Sequence, residues 1–294
     1  MCALLVSVTL WAQSDAFKEF GKKYDRKGYE VSTVGRTAIR MAALAGDKES
    51  REMMRKFDLL VSIKREGGDD DALHEDFERL VDGCLEHFGG GFDFVLHSVG
   101  MSPNIRKQIP YTALNYDYMS KTLDVSALSF HKILQVLHAK DALRDWASVV
   151  ALTYLAAERA VVGYGDMAEA KAMLQSIARS FGAIYGRERH VRINTVSQSP
   201  TMTTAGSGIE GMQRMYDYAD GVAPLGNASA DDCANYIVTL FSDLTRKVTM
   251  QNLYHDGGFS SMGMSRRAMK VYKKGMQFDD VSENKFPFGV ADKE

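Results

Sequence analysis

Short, mostly apolar runs recur along the whole chain, separated by longer segments whose apolar residues follow a helical period. The runs are Ala3–Val8, Tyr29–Val34, Leu59–Ile63, Phe92–His97, Ser148–Tyr154, Val191–Val196 and Met250–His255. Brief strands that are apolar on both sides of the pleat suit a parallel sheet covered on both faces. The clearest helical segment places Leu174, Ile177, Phe181 and Ile184 at offsets of 7, 10, 14 and 17 from Met167, near one helical face. This alternation predicts an α/β fold with a single doubly wound parallel sheet, helices on both faces, and a ligand crevice at the C-terminal strand ends. Residues 1–275 read as one such domain. The polar stretch 276–294 reads as a flexible or surface-draped tail.

Composition narrows the partners. Lys and Arg total 36 against 38 Asp and Glu, a net charge of −2, whereas a phosphate-backbone binder gathers a basic excess on one face. No nucleic-acid partner is therefore expected. Apolar residues at 45% and charged residues at 25% exclude a disordered chain. The stretch Cys2–Ala12 is too short to cross a bilayer, and no Lys or Arg precedes it, so it reads as a buried strand and no membrane association is expected. Cys2, Cys84 and Cys233 fit neither a disulfide framework nor a zinc site, which points to a reducing, cytoplasmic setting. His131 and His138 lack a third ligand at coordinating spacing, so no metal centre is expected. His97 and His255 end strands and read as structural. The acidic run Glu66–Asp71 reads as a solvated loop entering a helix, with Asp71 or a neighbour as its cap.

Chemistry is suggested by Tyr164 and Lys171, seven apart within the strongest helical segment and so on one face of it. An ammonium beside a phenol favours the phenolate and lowers its pKa, as a proton donor or oxyanion stabiliser requires. Such a pair also arises by chance on many helices. The flanking residues weigh against chance: Tyr154 ends the strand Ser148–Tyr154, where α/β sites form, and Tyr164 opens the helix ten residues later.

The stretch Tyr154-Leu155-Ala156-Ala157-Glu158-Arg159-Ala160, followed by Tyr164 and Lys171, resembles the active-site segment of the bacterial enoyl-acyl carrier protein reductases. These are a divergent branch of the short-chain dehydrogenase/reductase superfamily, with a Rossmann-type fold. The likeness continues through Phe94–Gly100, Val191–Ser197, Pro200–Thr203, Thr204–Ile209, Asn227–Ser229 and His255–Phe259. It implies reduction of a trans-2-enoyl thioester on acyl carrier protein by NADH or NADPH, in fatty-acid elongation. By the same resemblance, Tyr164 would stabilise the enolate, Lys171 would hold the nicotinamide ribose, and Tyr154 would line the substrate pocket and help position the proton. Ser98, Val99 and Gly100 would let the backbone approach the cofactor, and Pro200, Thr201 and Thr203 would border nicotinamide and pyrophosphate. Met212 and Met215, with Tyr216 and Tyr218, would form a soft lid over the acyl chain. Assembly as a homotetramer is implied through Ser120–Ala139 and Tyr164–Tyr185. Leu123, Leu128, Ile133 and Leu137 would then face either a neighbouring subunit or the chain's own sheet.

The N-terminal third departs from that pattern. Dinucleotide folds place a glycine-rich turn after the first strand, but here Val6–Ala16 contains no glycine. Ser7 stands where the first glycine belongs, Leu10 and Trp11 add bulk, and Ser14 and Ala16 keep the expected helix start. Ile63-Lys64-Arg65 replaces the usual acidic residue at the adenine. Arg36 and Arg40 lie where a 2′-phosphate would pass, or are solvated residues of a helix start. A second reading follows from these departures: a catalytically silent paralogue that has lost dinucleotide binding and serves as an oligomer or interaction partner.

Overall fold

The computed structural model describes residues 3–6, 70–88, 90–201 and 212–276. Among them, one sheet runs in the order β1 (Ala3–Val6), β2 (Phe92–His97), β3 (Leu143–Thr153), β4 (Arg192–Gln198) and β5 (Asn252–His255). All four neighbouring pairs are parallel. The helices are α1 (Asp70–Phe88), α2 (Pro103–Arg106), α3 (Tyr116–Leu123), α4 (Ser129–Ala139), α5 (Met167–Arg189), α6 (Met212–Val222), α7 (Ala230–Phe241) and α8 (Arg266–Met276). A π-turn, Asp124–Leu128, joins α3 to α4. The expected strands Tyr29–Val34 and Leu59–Ile63, together with Ser7, Ser14, Arg36, Arg40, Thr203 and the tail from residue 277, lie outside the described residues.

Period-two alternation sorts the core onto the two faces of the sheet. Val95, Val149, Ala151 and Ile193 pack with Phe77 of α1, Ile133 and Leu137 of α4, and Leu174 of α5. The intervening Leu96, Val150, Leu152 and Val196 pack with Cys233, Ile237, Leu240 and Phe241 of α7. The doubly wound arrangement expected from the sequence is the one observed. Among the described residues, no helix is long and apolar enough to cross a membrane.

Several boundaries differ for local reasons. β3 begins at Leu143 rather than Ser148, because the ladder shifts register between Phe92 and Phe94 and admits a bulge in which Trp146 takes a left-handed φ of 63°. Its polar Arg144 and Asp145 hide it from an apolar reading. β5 starts at Asn252, since Met250 turns through a φ of 61°. In α5, Met167, Leu174 and Ile177 are buried as expected, but Ile184 is exposed and Tyr185 is buried instead. Tyr185 lies 18 residues from Met167, five full turns, whereas Ile184 is about 100° off that line. Helix α1 already includes Asp70, so Asp71 lies in its first turn rather than at its cap. Ile133 and Leu137 face the sheet, while Leu128 remains exposed.

Candidate active site

Because every strand runs the same way, the loops after β2, β3, β4 and β5 emerge on one edge. They carry Ser98–Gly100, Tyr154, Ser199–Thr201 and Asp256–Phe259 respectively. Helix α5 brings Lys171 to this edge, where its Nζ donates to the Leu152 carbonyl oxygen at 2.8 Å. Burial lowers the Lys171 ammonium from 10.5 to about 8. The same burial, with the Lys171 charge as a second cause, pushes His97 down to about 3. His97 is therefore neutral, with Nε2 2.9 Å from Ser129 Oγ, while Ser129 gives its own proton to the Val125 carbonyl.

Tyr164 does not open the helix. It sits in a turn between Gly163 and Gly165, at φ of 81° and 48°, and α5 begins only at Met167. Two left-handed glycines at this point break the helical periodicity that the sequence spacing implied. The Tyr164 ring instead packs on Tyr154, with centroids 4.9 Å apart and planes at 43°. Leu155, Ala156, Val161, Ala168, Met215 and Phe259 complete this cluster. Burial pushes the Tyr154 phenol up to about 12, with the Asp256 carboxylate as a second cause. Burial likewise raises Tyr164 well above the ordinary phenol range, with Tyr154 adding to the effect. The expected lowering of a phenol by Lys171 is thus reversed: desolvation dominates, and the ammonium is engaged with a backbone carbonyl.

The other site residues fall as follows. Val99 is buried and Ser98 half-buried at the end of β2. At Gly100, a Cβ would lie 3.2 Å from the Met167 methyl and 3.7 Å from Lys171 Nζ, so the missing side chain lets this loop lie against the first turns of α5. Pro200 and Thr201 are buried after β4, and Thr201 Oγ1 donates to the Ser199 carbonyl at 3.1 Å. Met215 reaches the tyrosine cluster from α6. Met212 begins that helix, but its side chain lies outside the described residues.

Sequence reasoning missed two contributors. Phe259 joins the cluster from the turn after β5, where Asp256 accepts from the amides of Gly258 and Ser260 at 3.0 and 2.9 Å. Asp166, two residues beyond Tyr164, is fully buried and binds Ser102, Asn104 and Thr122. The only sequence signal for it was an acidic residue at a helix start, which reads as an ordinary cap. Among the described residues, no cluster of three or more His, Cys, Asp or Glu is placed to hold a metal.

Comparison with known proteins agrees with this geometry. A family model described as Enoyl-(Acyl carrier protein) reductase matches residues 70–260. The enoyl-[acyl-carrier-protein] reductase [NADH] 2 of Rhizobium meliloti is 31% identical over 188 residues, covering 64% of this chain and 69% of that protein. The enoyl-[acyl-carrier-protein] reductase [NADH] FabI of Escherichia coli is 30% identical over 181 residues, covering 61% and 68%. Among solved structures, the FabI–NADH complex from Alistipes finegoldii superposes with a TM-score of 0.75 at 53% identity, over 98% of both chains. The parallel sheet, the edge that gathers Tyr154, Tyr164 and Lys171, and a family match spanning residues 70–260 lead to one conclusion: the chain belongs to the enoyl-(acyl carrier protein) reductase family.

Proposed function

We propose that this chain reduces the trans-2 double bond of an enoyl thioester on acyl carrier protein, with NADH as reductant, in fatty-acid elongation. The observation that carries the reading is the Tyr154–Tyr164 ring pair on the strand edge where Lys171 is buried. The relatives named above are NADH enzymes, and the Alistipes finegoldii structure is an NADH complex.

The fit of a nicotinamide dinucleotide rests on Lys171. An ammonium has three donors, and among the described residues only the Leu152 carbonyl takes one. The remaining donors suit ribose hydroxyls, and the thin backbone at Gly100 gives them room. Ser98, Val99, Pro200 and Thr201 would border the same ligand, and Thr203 would follow them. Bound NADH would supply the hydride that adds at the β-carbon.

The protein's own groups do the rest. Tyr164, kept protonated by burial, donates its hydroxyl proton in a hydrogen bond to the thioester carbonyl oxygen and stabilises the enolate as charge develops there. Tyr154 holds the Tyr164 ring and, with Met215 and Phe259, gives the acyl chain an apolar wall. Met212, at the start of α6, would extend that wall. Lys171 keeps a positive charge beside the reacting centre at pH below about 8. A homotetramer would use the outward faces of α4 and α5, near the exposed Leu128 and Ile184, and light scattering tests that assembly.

Nicotinamide fluorescence titration and a turnover assay with an enoyl thioester test the reading together. The expected result is micromolar NADH binding, and a Tyr164→Phe variant that loses at least a hundredfold in kcat while its NADH Kd stays within threefold. No NADH binding up to millimolar concentration, or full turnover by Tyr164→Phe, would overturn it.

A further inference from the structure

Asp166 has no exposed surface, yet it is a carboxylate, and its partners among the described residues are all neutral. Ser102 Oγ donates to Oδ1 at 2.6 Å. Asn104 Nδ2 donates to Oδ2 at 2.7 Å and gives its other proton to the Asn115 carbonyl at 3.1 Å. Thr122 Oγ1 stands 2.9 Å from both Oδ2 and the Tyr118 carbonyl, so its single proton serves one of them at a time. Ser102 also accepts from the Ile105 amide at 3.0 Å, and Asn104 Oδ1 accepts from the Asn115 amide at 3.1 Å. Ser102 and Asn104 are therefore each oriented by a further bond, which leaves the network little freedom to relax.

What this network joins gives it a role. Ser102 and Asn104 belong to the segment that continues from Ser98–Gly100 at the end of β2, and Thr122 is on α3. Asp166 is two residues from Tyr164. The Tyr164 turn has little backbone support of its own: two left-handed glycines and a 3.2 Å bond from the Tyr164 amide to the Val161 carbonyl. A second tie runs in parallel, since Ser126 Oγ accepts from the Met101 amide at 3.0 Å and lies 3.5 Å from Met167 Sδ. A stability device would suffice with apolar residues here, because burying a cluster of polar side chains is costly compared with hydrophobic packing.

We propose that Asp166 is a positioning residue that sets the Tyr164 hydroxyl relative to the Ser98–Gly100 loop, through Ser102, Asn104 and Thr122. The inference rests on the reductase reading above. Loosening the network lets Tyr164 drift by tenths of an ångström while leaving the Lys171 and Gly100 contacts in place. The hydrogen bond from Tyr164 to the developing enolate oxygen then weakens, and NADH binding does not.

The test is steady-state kinetics of Asp166→Asn, Thr122→Val and Thr122→Ser beside the wild type and Tyr164→Phe, with folded fraction measured by circular dichroism. Asp166→Asn is expected to lower kcat at least tenfold, and Thr122→Val at least threefold, with NADH Kd within threefold. The isotope effect on kcat with 4-deuterated NADH should rise in both, because hydride addition, whose enolate product Tyr164 stabilises, becomes more rate-limiting. Thr122→Ser, which keeps the hydroxyl, should restore wild-type values. If Asp166→Asn does not fold, the Thr122 pair decides alone. Unchanged kcat per folded molecule and an unchanged isotope effect in Thr122→Val would overturn the proposal while Tyr164→Phe remained inactive. Full turnover by Tyr164→Phe would overturn the reductase reading and this inference with it.

Discussion

The Lys171 ammonium donates to the carbonyl oxygen of Leu152 across 2.8 Å, and both groups are buried. One carbonyl does not replace a hydration shell, so burial lowers the lysine from 10.5 to about 8. The charged form is thus penalised in the fold by on the order of 3 kcal/mol. The penalty is fully present below pH 8, where both folded and unfolded chains are protonated. It fades as pH rises from about 8 to 10.5, where only the unfolded chain still holds the proton. Urea unfolding midpoints should therefore drift upward over that window relative to Lys171→Met, which lacks the titrating group. NADH affinity should fall over the same window, as the amine loses its charge. Parallel stability curves for the two proteins would show that the lysine is not desolvated as the structure has it.

Tyr154 leads to a second prediction. With its phenol pushed up to about 12, it keeps its proton throughout the working range. The kcat profile should show no rise or fall that depends on Tyr154 between pH 6 and 9, since neither form change occurs there. Tyr154→Phe keeps the ring that packs on Tyr164 and removes only the hydroxyl. It should cost less than tenfold in kcat, whereas Tyr154→Ala, which removes the ring, should cost at least as much as that limit and raise KM. Stopped assays across pH with the three proteins check both points.

Much of this was readable from the residues. The β2 run Phe92–His97 is mostly apolar, and the bounds read from the sequence are those observed. The two-faced core follows from the same alternation in Ser148–Thr153. What escaped has physical causes. The early part of β3 carries Arg144, Asp145 and a left-handed Trp146, a bulge that no apolar pattern marks. Tyr164 looked helical because its spacing to Lys171 is helical, but Gly163 and Gly165 turn the chain through positive φ just there. Asp166 was silent because Ser102, Asn104 and Thr122 lie 64, 62 and 44 residues away from it. Contacts at that range are set by topology rather than by spacing along one element. The sequence put both phenols at the strand-end crevice but expected a lowered pKa for Tyr164 where burial raises it, since burial depth is a tertiary property.

Two glycines allow a contrast. Gly257 has a φ of 63°, and a Cβ there would lie 1.9 Å from the Gly226 carbonyl oxygen, a backbone atom that cannot swing aside. Gly257→Ala should therefore destabilise by about 3 kcal/mol or more, combining a left-handed penalty with a forced shift of the 223–226 segment. Gly83 is inside α1 with nothing within 4 Å of a built Cβ. Gly83→Ala should stabilise by about 0.5–1 kcal/mol, from helix propensity and a less free unfolded chain. Urea denaturation of both variants reads the two signs directly.

Arg192 is nearly fully buried in β4, and its guanidinium closes the end of α7. Nη1 reaches the Leu240 carbonyl at 2.8 Å and Thr245 Oγ1 at 2.7 Å, and Nη2 reaches the Phe241 carbonyl at 3.3 Å. These are the last carbonyls of a helix, which have no partner within it and form the negative end of its dipole. Ser148 Oγ and Thr245 Oγ1 also donate to Leu240, at 2.9 and 3.1 Å, but Phe241 has no such relief among the described residues. Arg192→Met would fill the space and remove the donors, at a cost of about 1–3 kcal/mol for the Phe241 carbonyl left buried and dry. Arg192→Lys keeps the charge but is a single point donor that cannot span Leu240, Phe241 and Thr245 together, so it should recover only part of that loss. Turnover per folded molecule should stay near wild type in both, because α7 packs on the face of the sheet and not at the tyrosine edge. Guanidinium unfolding followed by fluorescence measures the order wild type, Lys, Met. A methionine variant as stable as the wild type would mean that the guanidinium does not cap this helix.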